Sequence, residues 1–303
     1  MSILVVGSVA LDTVKTPFGR VEEALGGSAT YFSTSASYFA DVRVVAVVGE
    51  DFPEKHVTFL KARRVDLKGL ARVPGGSTFR WEGFYDYDLN KAHTLKTELG
   101  VFETFEPEIP PEYRDAEIVF LANIDPVLQK NILAQVRAPR LVAADTMNFW
   151  IENKRDALLE TLKLVDILTI NDAETRQLAG EPNLVRAARK IISMGPKTLI
   201  IKRGEYGVLM FNGGSTFSAP AYPLESVYDP TGAGDTFAGG FMGYIASIGD
   251  WADGNLRKAL VMGSVMASFV VEDFSLGGIS ALDYTEIEKR FREFKRISHF
   301  EDL

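Results

Sequence analysis

The chain has no cysteine in its 303 residues. That excludes structural disulfides, thiol nucleophiles and thiolate metal ligands. Histidine is almost as scarce, with only His56, His93 and His299. Three scattered imidazoles argue against a His-rich metal centre and against a His-dependent triad. Positive charge is in deficit: 33 Lys and Arg face 41 Asp and Glu, a formal net charge of −8. An acidic surface is a poor partner for nucleic acid or an anionic membrane. No apolar window approaches the length needed to cross a bilayer. The opening Met1–Gly7 lacks a basic n-region, and its apolar stretch is too short for a signal peptide. A soluble, cytoplasmic protein is the expectation. Several catalytic signatures are also missing. There is no Gly-x-x-x-x-Gly-Lys-[Ser/Thr] phosphate loop and no Gly-x-Ser-x-Gly elbow. The turn Gly7–Asp12 lacks the Gly-x-Gly-x-x-Gly of a dinucleotide site, which disfavours an oxidoreductase on a doubly wound sheet.

What is present is ordinary globular material, 46% hydrophobic and 24% charged, with enough length for a large core. Short Val/Ile/Leu runs without alternation occur at Ile3–Val6, Val42–Val48, Glu117–Leu121, Arg140–Ala144, Ile167–Ile170 and Thr198–Ile201. They read as strands covered on both faces. Helix-like segments lie between them: Ala29–Phe39, Glu54–Ala62, Pro126–Val136, Asn153–Lys163, Ala173–Ala179 and Leu184–Ser193. This alternation predicts right-handed βαβ units and a mostly parallel sheet between helical layers. Two more helices are expected at Leu256–Val271 and Thr285–Arg296, with a turn at Ser275–Gly278. Ligands in such sheets sit beyond the carboxyl ends of the strands. The loops Gly7–Asp12, Gly49–Phe52, Asn123–Pro126, Asp145–Asn148 and Asn171–Glu174 are the ones placed there.

Two segments break the pattern, at about 13–25 and 72–99. Phe79, Trp81, Phe84, Tyr85 and Tyr87 are interleaved with Arg80, Glu82, Asp86 and Asp88. This fits a small antiparallel sheet with one wet face, inserted in a single α/β domain spanning 1–303. Its aromatic face could serve as a lid, as its own small core, or as the pairing surface of a homodimer. Residues 107–116 read as a surface connection.

The densest chemistry lies in Asp229-Pro-Thr-Gly-Ala-Gly-Asp-Thr-Phe-Ala-Gly-Gly240. Gly232, Ala233 and Gly234 form a turn that lets backbone N–H groups face an anion. The helix predicted from Thr236 to Ile245 adds a positive partial charge at the same place. Asp235 beside this cradle can take the proton of an attacking hydroxyl while the amides hold a phosphate in line. A turn followed by an Asp N-cap accounts for the same twelve residues. Four further features bear on the choice. Asp12 follows the first strand and could accept hydrogen bonds from substrate hydroxyls. Gly26-Gly27-Ser28 precedes a helix and permits close backbone approach. Asn171 and Glu174 sit at a strand end and could hold hydrated Mg²⁺. Lys202-Arg-Gly-Glu-Tyr-Gly207 follows a strand and carries two glycines suited to lie against a nucleotide. Local alternatives stand beside these: strand-end caps for Asp12 and Asn171, a solvated first-turn carboxylate for Glu174, and a surface lysine for Lys202.

With these motifs in this order, the chain resembles the ribokinase (PfkB) family of carbohydrate kinases nearly end to end. The resemblance implies a ribokinase-like three-layer sandwich with a small β-sheet lid, and ATP- and Mg²⁺-dependent phosphoryl transfer to a sugar or related polyol. It implies Asp235 as the base and the amides of Gly232, Ala233 and Gly234 as the anion hole. Asn171 and Glu174 would position Mg²⁺ through water. Lys202, Gly204, Gly207 and, by rough alignment, Gly263 would line the nucleotide site. Asp12, Gly26, Gly27, Ser28 and Asn123 would grip the substrate. Asp229 and Thr231 stand where some members bind an activating monovalent cation such as K⁺. Three departures stand out, and the first two bear on the substrate. Tyr31 and Ala10 replace asparagines common in ribokinases, and Gly263 replaces one near the adenine. The run Gly26–Ser33 looks more like the inositol-kinase-like members, which brings in a cyclitol, alongside nucleosides. A non-catalytic sugar- or nucleotide-binding regulator on the same scaffold is the remaining alternative.

Overall fold

The computed structural model describes residues 1–299 and 301. In chain order the strands are β1 (Ile3–Val6), β2 (Ala10–Thr16), β3 (Gly19–Gly26), β4 (Val42–Gly49), β5 (Val65–Val73), β6 (Phe79–Tyr85), β7 (Ala92–Glu98), β8 (Ile118–Leu121), β9 (Leu141–Asp145), β10 (Ile167–Asn171), β11 (Thr198–Lys202), β12 (Val208–Asn212) and β13 (Ser215–Ala219). The helices are α1 (Ser28–Ala36), α2 (Glu54–Lys61), α3 (Pro126–Leu133), α4 (Asn148–Asn153), α5 (Arg155–Leu162), α6 (Asp172–Ala179), α7 (Leu184–Ile192), α8 (Ala233–Ile248), α9 (Asp253–Val270) and α10 (Tyr284–Ile297).

Nine strands form the main sheet in the order β13-β12-β11-β10-β9-β8-β1-β4-β5. From β11 to β5 every neighbour runs parallel, and β12 and β13 add an antiparallel edge. The chain starts at β1, builds outward to β5, then returns to β8 on the other side of β1. The order therefore reverses between β1 and β8, and such a reversal opens a crevice at the carboxyl ends of the strands. Successive residues of β1 point to opposite faces. Ile3 and Val5 join a core with Phe32 of α1, Phe120 of β8 and Phe241 of α8, while Leu4 and Val6 join Val119, Leu121 and Ile132 on the other side. Burial on both faces is why these strands read as unbroken apolar runs.

The expected strands and helices are present, with shifted ends. β5, β12, β13 and α4 were not anticipated. The short connection 107–116 is not merely superficial, because Ile109, Tyr113 and Ala116 are buried under the sheet.

The second sheet has the order β3-β2-β6-β7. β2–β3 and β6–β7 are antiparallel hairpins, but the central β2–β6 pair is parallel, with Asp12 opposite Trp81. The sheet is therefore mixed rather than antiparallel. Its bounds also move: it starts at Ala10, and residues 72 and 73 belong to β5 in the main sheet. Alternation reveals which face is wet but not the direction of the neighbouring strand. Its root is clamped to the main sheet through Thr78. The Thr78 hydroxyl accepts from Gly49 N at 3.0 Å and donates to Asp51 at 2.7 Å, and Arg80 pairs with Asp51 at 2.7 Å.

Candidate active site

The turn before α8 is built by two constraints. Gly232 has φ +73°, a left-handed conformation that disfavours any residue with a Cβ. A Cβ there would also overlap the ring of Tyr31, which is buried on α1. Asp229 fixes the approach to the turn. Its two carboxylate oxygens accept from Thr231 N at 2.9 Å and Ser275 N at 3.0 Å. Glycines 239, 240 and 243 of α8 let that helix press against α1 and α9. The start of α8 is thereby placed over the carboxyl ends of the central strands.

Asp235 lies in the first turn of α8. Removal from bulk water and the nearby charge of Asp145 push its carboxyl up to about 8, against the opposing effect of Lys202. Lys202, the last residue of β11, points its ammonium at Asp145 Oδ2, 2.6 Å away. Burial works against that ammonium, but Asp145, Asp235 and Glu174 together hold its pKa above the ordinary lysine range. Lys202 is not a surface lysine, its side chain being 18% exposed. Asp145 is a residue that the sequence reading placed in an informative loop without assigning it a role. Gln129 pins its backbone: the amide of Gln129 donates to the carbonyls of Ala122 at 2.9 Å and Asp145 at 3.1 Å.

Asn171 and Glu174 form a capping box at α6. Asn171 Oδ1 accepts from Glu174 N at 2.8 Å, and Glu174 Oε2 accepts from Asn171 N at 3.0 Å. Burial, followed by the charge of Asp145, pushes Glu174 up to about 7, so it is not a solvated carboxylate. Among the described residues no three His, Asp or Glu side chains converge to hold a metal ion directly. One carboxylate and one amide oxygen suit a Mg²⁺ that keeps most of its own waters.

Asp12 lies close enough for its charge to act on Asp235. It sits within β2, not in a loop, and is 5% exposed. Burial pushes it up to about 7, with a contribution from Asp229, while a hydrogen bond from the Gly27 backbone opposes the rise. Gly26 is a glycine because a Cβ there would overlap the Asp12 carboxylate. Gly27 has φ +93° and lies against the backbone of Ser8. The Ser28 hydroxyl contacts that of Ser8 at 3.1 Å and also accepts from Ser8 N at 3.2 Å, which ties β1 to α1. Asn123 is likewise engaged, accepting from Trp150 Nε1 at 2.9 Å. The Tyr31 hydroxyl is buried with no hydrogen-bond partner among the described residues. The charges of Asp12 and Asp229 lie near it. Tyr85 of β6 reaches Thr231 at 3.4 Å, bringing the second sheet to the turn.

A cleft of about 930 Å³ opens beside the turn. Lys202, Gly204, Gly207, Ala233 and Gly234 line it, with an apolar wall that includes Phe237 and Val271. Gly204 and Gly207 have φ of +54° and +80°. Residues Tyr87–Asn90, the tip of the β6–β7 hairpin, line the same cleft, and a Cβ on Gly204 would overlap Asn90. That contact was not anticipated. Gly263 is absent from this lining; it lies where α9 crosses α8, against Phe237 and Gly240. Its neighbour Ser264 faces the cleft instead.

The structure thus gathers Asp12, Asp145, Asn171, Glu174, Lys202, Asp229 and Asp235 around one turn at the carboxyl edge of the sheet. Comparison with known proteins bears on the family and the fold. The family model described as pfkB family carbohydrate kinase matches residues 2–281. A cytidine kinase of Thermococcus kodakarensis is 34% identical over 248 residues, covering 80% of this chain and 87% of that protein. A nucleoside kinase of Burkholderia thailandensis in complex with inosine superposes with a TM-score of 0.76 at 21% identity, over 96% of this chain and 97% of that one. A Ribokinase II of E. coli in complex with ATP and Mg²⁺ gives 0.78 at 19%, over 96% and 99%. The expected ribokinase-like fold is therefore present, and the chain belongs to the pfkB family of carbohydrate kinases.

Proposed function

We propose that this kinase transfers the γ-phosphoryl group of ATP to a hydroxyl of a nucleoside. The observation that carries the reading is Asp235. It stands in the first turn of α8 beside the Gly232–Gly234 amides, with its carboxyl pushed up to about 8. A base matched to neutral pH is what removal of an alcohol proton needs. In this reading the acceptor hydroxyl gives its proton to an Asp235 oxygen as it attacks. The amides of Gly232, Ala233 and Gly234 stabilise charge on the transferred group. Asp12 orients the acceptor by taking hydrogen bonds from its hydroxyls. The second sheet, reaching the turn through Tyr85 and Thr231, excludes water from the transfer. Bound Mg²⁺ would neutralise phosphate charge, held through water by Asn171 and Glu174. The relative named a cytidine kinase favours a nucleoside over a free sugar as acceptor.

The test is ADP release from Mg-ATP over a panel of nucleosides, sugars and inositols, with Asp235→Asn as control. Turnover is expected on a nucleoside, falling by about 10²–10⁴ in the variant, the usual contribution of a general base. Turnover confined to sugars or inositols overturns the acceptor. A variant keeping more than about a tenth of the rate overturns the base.

A further inference from the structure

We propose that Lys202 is a movable cationic anchor for the transferred phosphoryl group, parked on Asp145 until that group arrives. The inference rests on the kinase reading above and adds a second charged group to it.

Three observations carry it. First, the ammonium lies against the anion turn itself. A Cβ built on Gly234 would stand 2.9 Å from Lys202 Nζ, so the lysine occupies the space that a side chain would fill at the third residue of the turn. Second, its only hydrogen bond among the described residues is to Asp145 Oδ2, at 2.6 Å. An ammonium has three donors. The side chain also lines the cleft together with Ala233 and Gly234. Third, the two partners are held differently. Asp145 Oδ1 accepts from Thr146 N at 2.8 Å, and its backbone carbonyl is held by Gln129. Lys202 reaches it on a flexible four-carbon stem.

A cation at a helix N-terminus opposes the helix dipole. Here Asp145, Asp235 and Glu174 compensate it. A buried ion pair adds little stability over a well-packed apolar pair, so stability alone is a weak reason for this one. An incoming phosphate changes the balance. It meets the helix start and the ammonium together, and charge on its equatorial oxygens in the transition state is what a nearby cation stabilises. Asp145 is then a positioning residue that keeps Lys202 charged and aimed when no phosphate is there.

The anchor must distinguish a triphosphate from a diphosphate, because only the terminal phosphate reaches the turn. The experiment compares wild type with Lys202→Met, Lys202→Arg and Gly234→Ala. It measures kcat, the acceptor KM, and calorimetric affinities for ADP and for the non-hydrolysable triphosphate AMP-PNP. Gly234 is helical without positive φ, so alanine suits the backbone while displacing the ammonium. Lys202→Met should lower kcat by about 10²–10³, the usual loss for a preorganised electrostatic group, with acceptor KM nearly unchanged. Its preference for AMP-PNP over ADP should fall about tenfold, equivalent to ~1.4 kcal/mol. Gly234→Ala should lose the same preference while remaining folded. Lys202→Arg should recover part of both kcat and the preference. The proposal is overturned if Lys202→Met keeps kcat, or if it loses ADP and AMP-PNP affinity equally. Should Lys202→Met fail to fold, Gly234→Ala and Lys202→Arg decide by the same readouts. Wild type inactive on every acceptor, with the AMP-PNP preference still lost in the variants, would refute the acceptor assignment and leave the anchor standing.

Discussion

Replacing Gly232 by alanine tests the construction of the anion turn. Two independent penalties apply. The backbone stands at φ +73°, and a left-handed conformation costs a non-glycine residue roughly 1–2 kcal/mol. The new methyl would overlap the Tyr31 ring, which is 1% exposed and has no free space to enter. Overpacking of a filled core costs about 1–3 kcal/mol. Together they predict a loss of about 2–5 kcal/mol. At ~2–4 °C per kcal/mol, that lowers Tm by roughly 4–20 °C. A double-mutant cycle separates the two penalties. Tyr31→Ala is destabilising by itself, but it removes the overlap and leaves the φ penalty. The double variant should therefore be about 1–3 kcal/mol more stable than the sum of the single changes. Urea unfolding of the four proteins supplies the numbers. A Gly232→Ala protein within about 0.5 kcal/mol of wild type would refute the reasoning. A coupling near zero would show that Tyr31 yields freely and does not brace the turn.

Two further predictions concern the charges. Asp12 and Glu174 are pushed up to about 7 and Asp235 to about 8, from ordinary values of 3.8, 4.5 and 3.8. In that interval the folded state holds protons that the unfolded chain has released. The stability these groups contribute is full below their unfolded pKa values and is lost as pH rises through 7 to 8. His56, whose pKa is lowered by burial, opposes the trend at the acid end. The ligand-free protein should melt higher at pH 6 than at pH 8.5, and Asp235→Asn should flatten the slope; an equal or rising Tm would contradict this. Asn171 and Asn183 both cap helices through their side chains. Alanine at either should cost about 1 kcal/mol, but only Asn171→Ala should raise the Mg²⁺ concentration needed for half-maximal rate. Equal Mg²⁺ dependence in the two variants would leave Asn171 a cap and nothing more.

The sequence revealed the central strands because burial on both faces leaves an unmistakable apolar run. β5 escaped notice because an edge strand is half exposed, and Val65–Val73 carries Asp66, Lys68 and Arg72. β12 and β13 are joined by Gly213-Gly214 at an exposed hairpin, and only part of each is buried. Asp235, Asp12 and Lys202 were singled out as chemistry because they stand beside glycine turns or strand ends. Asp145 has a strand end too, but no glycine beside it, and its importance lies in a pairing with a residue 57 positions later. Asn90 could not be read at all, since its neighbour Gly204 is brought to it only by the way the second sheet folds over the cleft. The substrate roles of Ser28 and Asn123 rest on the family resemblance, and their hydrogen bonds with Ser8 and Trp150 join residues 20 and 27 positions apart, which no local pattern displays.

Asp12 belongs to the second sheet, whereas Asp235 is carried by the body of the main one. The backbone crosses between the two sheets next to residues 10, 26, 79 and 98, where the strands of the second sheet begin or end. Any rotation about those crossings changes the separation between the two carboxylates. The gap between the group that would hold the acceptor and the group that would deprotonate it therefore depends on how the two sheets are set against each other at these crossings. An acceptor that touches both carboxylates would have to match that gap, so molecules of similar polarity but different reach would be told apart by the junction of the two sheets and not by either carboxylate alone.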